Sequence, residues 1–186
     1  MNKLHNTTNT GFALLLALII SSIALSIGLS MLHITLKQLS LGTTTKGSEI
    51  AFQAANAGME CLRYLRNDQS DEMYAGDPVQ VKCLGEPSVQ FTDIPTTDAS
   101  TNHYMYHNDA IDWVTTGGDS LCVDMEVHLL IADGDSVAYN FDGGSTKTCA
   151  SGDVCTFGFV RGYNRNCADI GTNSVFTVQR ELTVEF

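Results

Sequence analysis

"KGSEIAFQAANAGMECLRYLR", Lys46 to Arg66, is the stretch on which the fold turns. Ile50, Ala54, Ala57, Cys61 and Leu65 recur at helical spacing along one face, and Ala51, Ala55, Met59 and Leu62 widen it. A stripe of that width must be covered, so the pattern predicts a helix that lays one side against a domain. The helical reading extends upstream. "LGTTTKG" (Leu41 to Gly47) sets two glycines around three β-branched threonines, all weak helix formers, and a bend is expected there. Before it, Phe12 to Leu32 is an uncharged run of about 21 residues, long enough to cross a hydrocarbon core and longer than the roughly 7–15 residues of a secretory h-region. A single helix from Phe12 to Arg66 would reach about 80 Å at 1.5 Å per residue.

Within the apolar run, Ser22, Ser26 and Ser30 fall on one helix face, and Ala13, Ala17 and Ser21 begin a second row of small residues. Such rows let helices approach closely in an apolar medium. Hydroxyls that bond back to the preceding turn account for the serines equally well. Lys3 and His5 precede the run and Lys37 and Lys46 follow it, which gives little help with orientation.

Beyond Asn67 the period changes from helical to alternating. "LCVDMEVHLL" puts Val123, Met125, Val127 and Leu129 on one face and Asp124, Glu126 and His128 on the other. "ADGD" follows, then "SVAYNF", which reads as the second arm of a hairpin. "TFGFVRG" and "SVFTVQRELTVEF" read as further strands, with Phe176, Val178, Leu182, Val184 and Phe186 alternating in the latter. Arg180 falls on the apolar side, which calls for an acidic partner or a bulge. Ser88 to Trp113 shows a short strand at "VQF" and no firm pattern besides. The expected architecture is α+β: an antiparallel sheet packed on the distal half of the long N-terminal helix. The divisions are a leader over residues 1–11, the helix over 12–66 (12–32 spanning a membrane, 33–66 outside it), and an acidic β-rich domain over 67–186.

The net charge is −11, from 10 Lys and Arg against 21 Asp and Glu. Only Glu49 and Glu60 precede Asn67, so the domain carries the acid and would repel a phosphate backbone; nucleic acid is excluded as a main partner. Six cysteines with no C-x-x-C pair, downstream of an apolar segment, point to disulfides in an oxidising compartment. Six allow fifteen pairings. Cys149 and Cys155 flank a short loop, "ASGDV", that can close locally. Cys61 at the helix end and Cys83 bracket a polar connection, and Cys122 and Cys167 remain.

Chemistry is sparse. His103 and His107 in "HYMYH" have the spacing of metal ligands on a helix, yet no glutamate follows the first and the surroundings do not read as helical. "DGD" and "DGG" near 133 and 142 lack the rest of a calcium loop and read as turns. No nucleophile elbow, phosphate loop or dinucleotide fingerprint occurs. No enzyme, cofactor or metal is expected. Trp113, Tyr104 and Tyr106 read as core in preference to a contact surface.

A short hydrophilic leader ending in Gly11, then Phe12 and a long apolar helix, resembles the N-terminus of prepilins of type IV pili and type II secretion systems. "AFQAANAGMEC" (Ala51 to Cys61) resembles the A-x-x-A-A-x-x-G-x-E segment of PilX-type minor pilins and the K-type minor pseudopilin, with Ala51, Ala54, Ala55, Gly58 and Glu60 in register. Together these cover about the first third of the chain. The resemblance implies cleavage after Gly11 by a prepilin peptidase, N-methylation of Phe12, and filament partners packed through the N-terminal helix. One departure is informative. Major pilins carry a glutamate at the fifth position after the cut, where this chain has Leu16. An amine buried among apolar helices without a counter-charge is costly, so the resemblance implies a minor, priming or capping subunit. The rival reading is a signal-anchored or secreted β-rich binding domain, for which Ser22-Ile23-Ala24 offers a crude cleavage site inside the apolar run.

Overall fold

The computed structural model describes residues 10–94, 103–141, 145–172 and 177–186. The expected leader therefore lies outside the described residues up to position 9, as do the "DGG" turn at 142–144 and Phe176. The fold is α+β. Helix α1 runs Thr10–Asp68, helical throughout "LGTTTKG", and a short α2 follows at Ser70–Ala75. The chain divides into two compact units, Met1–Thr43 and Thr44–Phe186, with the boundary inside that threonine-rich stretch.

In the first unit no residue from Phe12 to Thr43 is buried, and this part of α1 is long and apolar enough to cross a membrane. The second unit is a six-stranded antiparallel sheet ordered β1 (Val79–Cys83), β2 (Glu86–Ile94), β3 (His103–Val114), β4 (Ser120–Ile131), β7 (Val154–Tyr163), β8 (Gln179–Glu185). A separate hairpin pairs β5 (Val137–Phe141) with β6 (Ser145–Cys149).

One face of the sheet takes the stripe of α1. Ala54, Ala55, Met59, Leu62 and Leu65 form a single buried cluster with Val123, Met125, Val127 and Leu129 of β4 and Val160 of β7. Each fully buried leucine contributes about 2–3 kcal/mol of apolar burial. Ala51 and Ala55 are small because their backbone meets that of β7, and Gly58 because valines of β4 and β7 crowd it. A Cβ on Gly162 of β7 would overlap the Ala55 nitrogen and the Ala51 carbonyl oxygen, and one on Gly58 would lie 2.6 Å from methyls of both Val123 and Val160. Ala57, expected on the stripe, is only half-buried. Tyr106 is fully buried with its hydroxyl donating to the Met73 carbonyl (2.9 Å), and Tyr104 and Trp113 pack against the same cluster. At the end of α2, Gly76 takes a left-handed conformation (φ 75°) that only glycine adopts cheaply.

Several expectations are corrected. β4 does not form a hairpin with β5: both of its edges are taken, by β3 and β7, so β5 pairs with β6 and lies over the other sheet face, burying Phe141 near Phe157 and Leu130. The stretch without a firm pattern contains most of β2 and the twelve-residue β3. In β3 a bulge between Asn108 and Ile111 breaks the pattern. It shifts the inward positions from Tyr104 and Tyr106 to Ile111 and Trp113, which breaks the period-2 signal. Arg180 needs neither acid nor bulge. The β7–β8 register is regular around it, opposite Gly162, and its Nε donates to Ser48 Oγ of α1 (2.8 Å).

Three disulfides close the domain: Cys61–Cys83 joins the helix to β1, Cys122–Cys167 ties β4 to the turn at Cys167–Asp169, and Cys149–Cys155 staples β6 to β7.

Candidate functional site

The N-terminal positions come first. Gly11 and Phe12 lie in the first turn of α1, and Phe12 and Leu16 are exposed. Ser22 and Ser26 each donate to the carbonyl three residues back (2.8 and 2.9 Å), and Ser21 donates to Ala17 (2.5 Å). A hydroxyl satisfied within its own helix can sit in hydrocarbon without the cost of an unpaired donor. Ser30 is exposed on the same helix.

The second cluster lies on the sheet face away from α1, where the polar positions of "VDMEVH" point. His128 Nε2 donates to Glu126 Oε1 (2.6 Å), and its Nδ1 lies 3.0 Å from His103 Nε2. On β7, Arg161 reaches three carboxylates: Nε donates to Glu181 (3.0 Å), Nη1 to Asp124 (3.2 Å), and Nη2 lies 3.6 Å from Glu126. Asp124 also accepts from His107 Nε2 (3.0 Å). Tyr139, Phe141, Phe159 and Met105 complete a cavity of about 140 Å³ lined by this cluster.

The electrostatics follow from these contacts. The Glu126 carboxyl is held below its ordinary range, first by the His128 hydrogen bond, against burial, with nearby positive charges adding. Burial pulls the Arg161 guanidinium down, but its hydrogen bonds to Glu181 and Asp124 and their charges carry it above the ordinary arginine value. Burial, then the Asp124 charge, pushes the Tyr163 phenol up.

The sequence picked out His103 and His107 as a pair. The structure puts both on the outer face of β3 but gives them different partners, His128 and Asp124. Among the described residues no group of three or more His, Cys, Asp or Glu is arranged to hold a metal ion. His128 and Arg161 were missed as members of a cluster. The alternation of β4 signalled the outward histidine, whereas the pairing of β4 with β7 that brings Arg161 to it has no local signature. Chemically the cluster balances one guanidinium and two imidazoles against three carboxylates through short polar contacts. No family model, no curated protein and no solved structure matches the chain.

Proposed function

We propose that the chain is a membrane-anchored minor subunit of a type IV pilus or a type II secretion-like filament, acting to prime, cap or decorate it. The observation that carries this reading is the division of labour along α1. Residues 47–65 close onto the domain's own sheet, while 12–46 are exposed, apolar through Leu32, and follow a glycine–phenylalanine junction. In this reading prepilin peptidase removes Met1 to Gly11 on the cytoplasmic side and Phe12 is N-methylated. The helix holds the subunit in the inner membrane with the disulfide-bonded domain outside, which agrees with three closed bridges. On assembly the helix exchanges lipid for neighbouring helices. Van der Waals contact and small residues drive that exchange, because lipid tails are as apolar as leucine. Leu16 supplies no carboxylate for a neighbour's amine, which favours a minor position over a repeating one.

The test is intact mass and N-terminal sequencing of the protein from membrane and sheared-filament fractions. A chain starting at N-methyl-Phe12 and present in filaments is expected. A chain starting at Met1, or cut near Ala24, would overturn the proposal and leave an anchored or secreted binding domain.

A further inference from the structure

His103 and His128 are two buried rings, 5% and 3% exposed, with planes 17° apart and a 3.0 Å contact between Nε2 of the first and Nδ1 of the second. That contact needs one proton between two facing nitrogens. The Glu126 carboxylate only accepts, so it fixes a proton on His128 Nε2; in the neutral ring His128 Nδ1 is then a lone pair and His103 supplies the N–H. One added proton fits. A charged His128 donates from both nitrogens, to Glu126 and to His103, whose own proton moves to its other nitrogen. A second added proton does not fit. Two N–H groups would face each other across 3.0 Å, and two positive rings would sit with centroids 5.2 Å apart, shielded from water.

This pair is the floor on which β5 rests. The Tyr139 ring centroid lies 4.1 Å from that of His103, and the Phe141 ring meets His128 edge-on at 4.8 Å. The β5–β6 ladder is separate from the six-stranded sheet; side-chain packing, the Lys147–Glu185 ion pair and the Cys149–Cys155 bridge hold it, and backbone hydrogen bonds from Gly152 to Ala132 and from Ala132 to Asp153 tie its base. Charged and titratable groups face the pair from every side. β3 contributes His107, β4 Asp124 and Glu126, and β5 the Tyr139 phenol. Lys147 of β6 is paired with Glu185, and β7 and β8 contribute Arg161 and Glu181. Asp124, Glu126 and Glu181 outnumber the Arg161 cation beside the pair, but none of them relieves an N–H to N–H contact between the two rings.

We propose that the β5–β6 hairpin is an acid-released flap, latched while His103 and His128 share a proton and freed when both rings are charged. Release uncovers Phe141, Phe157 and Leu130, and the Cys149–Cys155 bridge keeps the movement a local opening. The Glu126 carboxyl is held low first by its His128 hydrogen bond, so it keeps its acceptor role toward His128 in mild acid.

The experiment is amide hydrogen exchange of the full-length chain in detergent micelles at pH 7.5 and 5.0, corrected for the intrinsic pH dependence of exchange. Exchange in residues 137–141 and 145–149 is expected to rise roughly tenfold at pH 5.0 while the β4–β7 ladder stays protected; one proton bound only in the open state gives up to tenfold per pH unit. In His103→Gln the amide can turn to offer either a donor or an acceptor to His128, so the rise is expected to vanish. Unchanged hairpin exchange in the wild-type chain, an equal rise in the β4–β7 ladder, or the same rise in His103→Gln would each overturn the latch. The wild-type comparison decides even where the variant fails to fold.

Discussion

Replacing Gly162 with alanine adds one methyl group at the place where β7 meets α1. An ideal Cβ there would overlap the Ala55 nitrogen and the Ala51 carbonyl oxygen and lie 2.8 Å from the Ala55 Cα. None of these atoms can rotate away, since all three belong to the helix backbone. The helix must lift from the sheet, loosening Leu62, Met59 and Val160 around it. Overpacking of a core costs about 1–3 kcal/mol when side chains can adjust, so a clash with backbone falls at the upper end or above, at about 3 kcal/mol. Gly58→Ala makes the contrast. Its Cβ meets two valine methyls at 2.6 Å, which can partly yield, and alanine regains up to about 1 kcal/mol of helix propensity. The expected order of stability is wild type, then Gly58→Ala, then Gly162→Ala. Thermal unfolding of the full-length chain, followed by near-ultraviolet circular dichroism, reads it out. At about 4 °C per kcal/mol, Gly162→Ala should melt roughly 10 °C lower. A shift under about 2 °C would refute the claim that the helix and β7 backbones are in contact.

Three further outcomes are expected. Loop-closure entropy ranks the disulfides by their separations of 45, 22 and 6 residues, so removing Cys122–Cys167 should cost most, about 4 kcal/mol, and Cys149–Cys155 least, about 2 kcal/mol, in denaturant unfolding of paired Cys→Ser variants. Glu126 has a folded pKa below its ordinary 4.5, first through His128. It therefore adds stability that is present above that value and lost as pH falls through the folded one. Glu126→Gln should be less stable than wild type at neutral pH, with a gap that narrows below about pH 4.5 in melts run from pH 7 to 3. Arg161→Gln leaves Asp124, Glu126 and Glu181 without their shared cation and should lower stability by about 2 kcal/mol at pH 7.

The elements legible in the sequence are those whose signal is local. The stripe of α1 and the strict alternation of β4 each encode the face they bury, and both lie where the pattern put them apart from the half-buried Ala57. Chain proximity and the helix end singled out the same cysteine pairs that the structure joins. The misreadings have two causes. Whether β4 pairs with β5 or with β7 depends on which edge is free after the sheet assembles, and "ADGD" turns the chain equally well toward either outcome. The bulge at Asn108 similarly hides β3 by swapping the inward parity midway. The outer-face cluster needed both facts at once. Its members come from β3, β4, β7 and β8, and only the observed strand order sets His103 beside His128 and Arg161 between three acids.

The segment Ala51 to Glu60 carries two kinds of information, which a single pair of variants can separate. Ala51, Ala54, Ala55 and Gly58 are buried, and the approach of β7 accounts for their size without any partner subunit. Small residues there are a condition for this domain to close, so they would be needed in an anchored monomer as much as in a filament. Glu60 is different. It is exposed and pairs with Arg63 one turn on, an exposed ion pair of 2.7 Å worth about 0.3–0.5 kcal/mol. Phe52 and Tyr64 are likewise half-exposed on the same helix. Domain folding therefore gives no reason for a glutamate at that position. Glu60→Gln should leave the melting temperature of the full-length chain within about 2 °C of wild type. If the chain assembles as proposed, the same variant should reduce the amount recovered in sheared filaments, while Gly162→Ala should reduce both stability and recovery. A Glu60→Gln chain that is stable and recovered at wild-type levels would strip the segment of its bearing on assembly and leave its small residues explained by the domain alone.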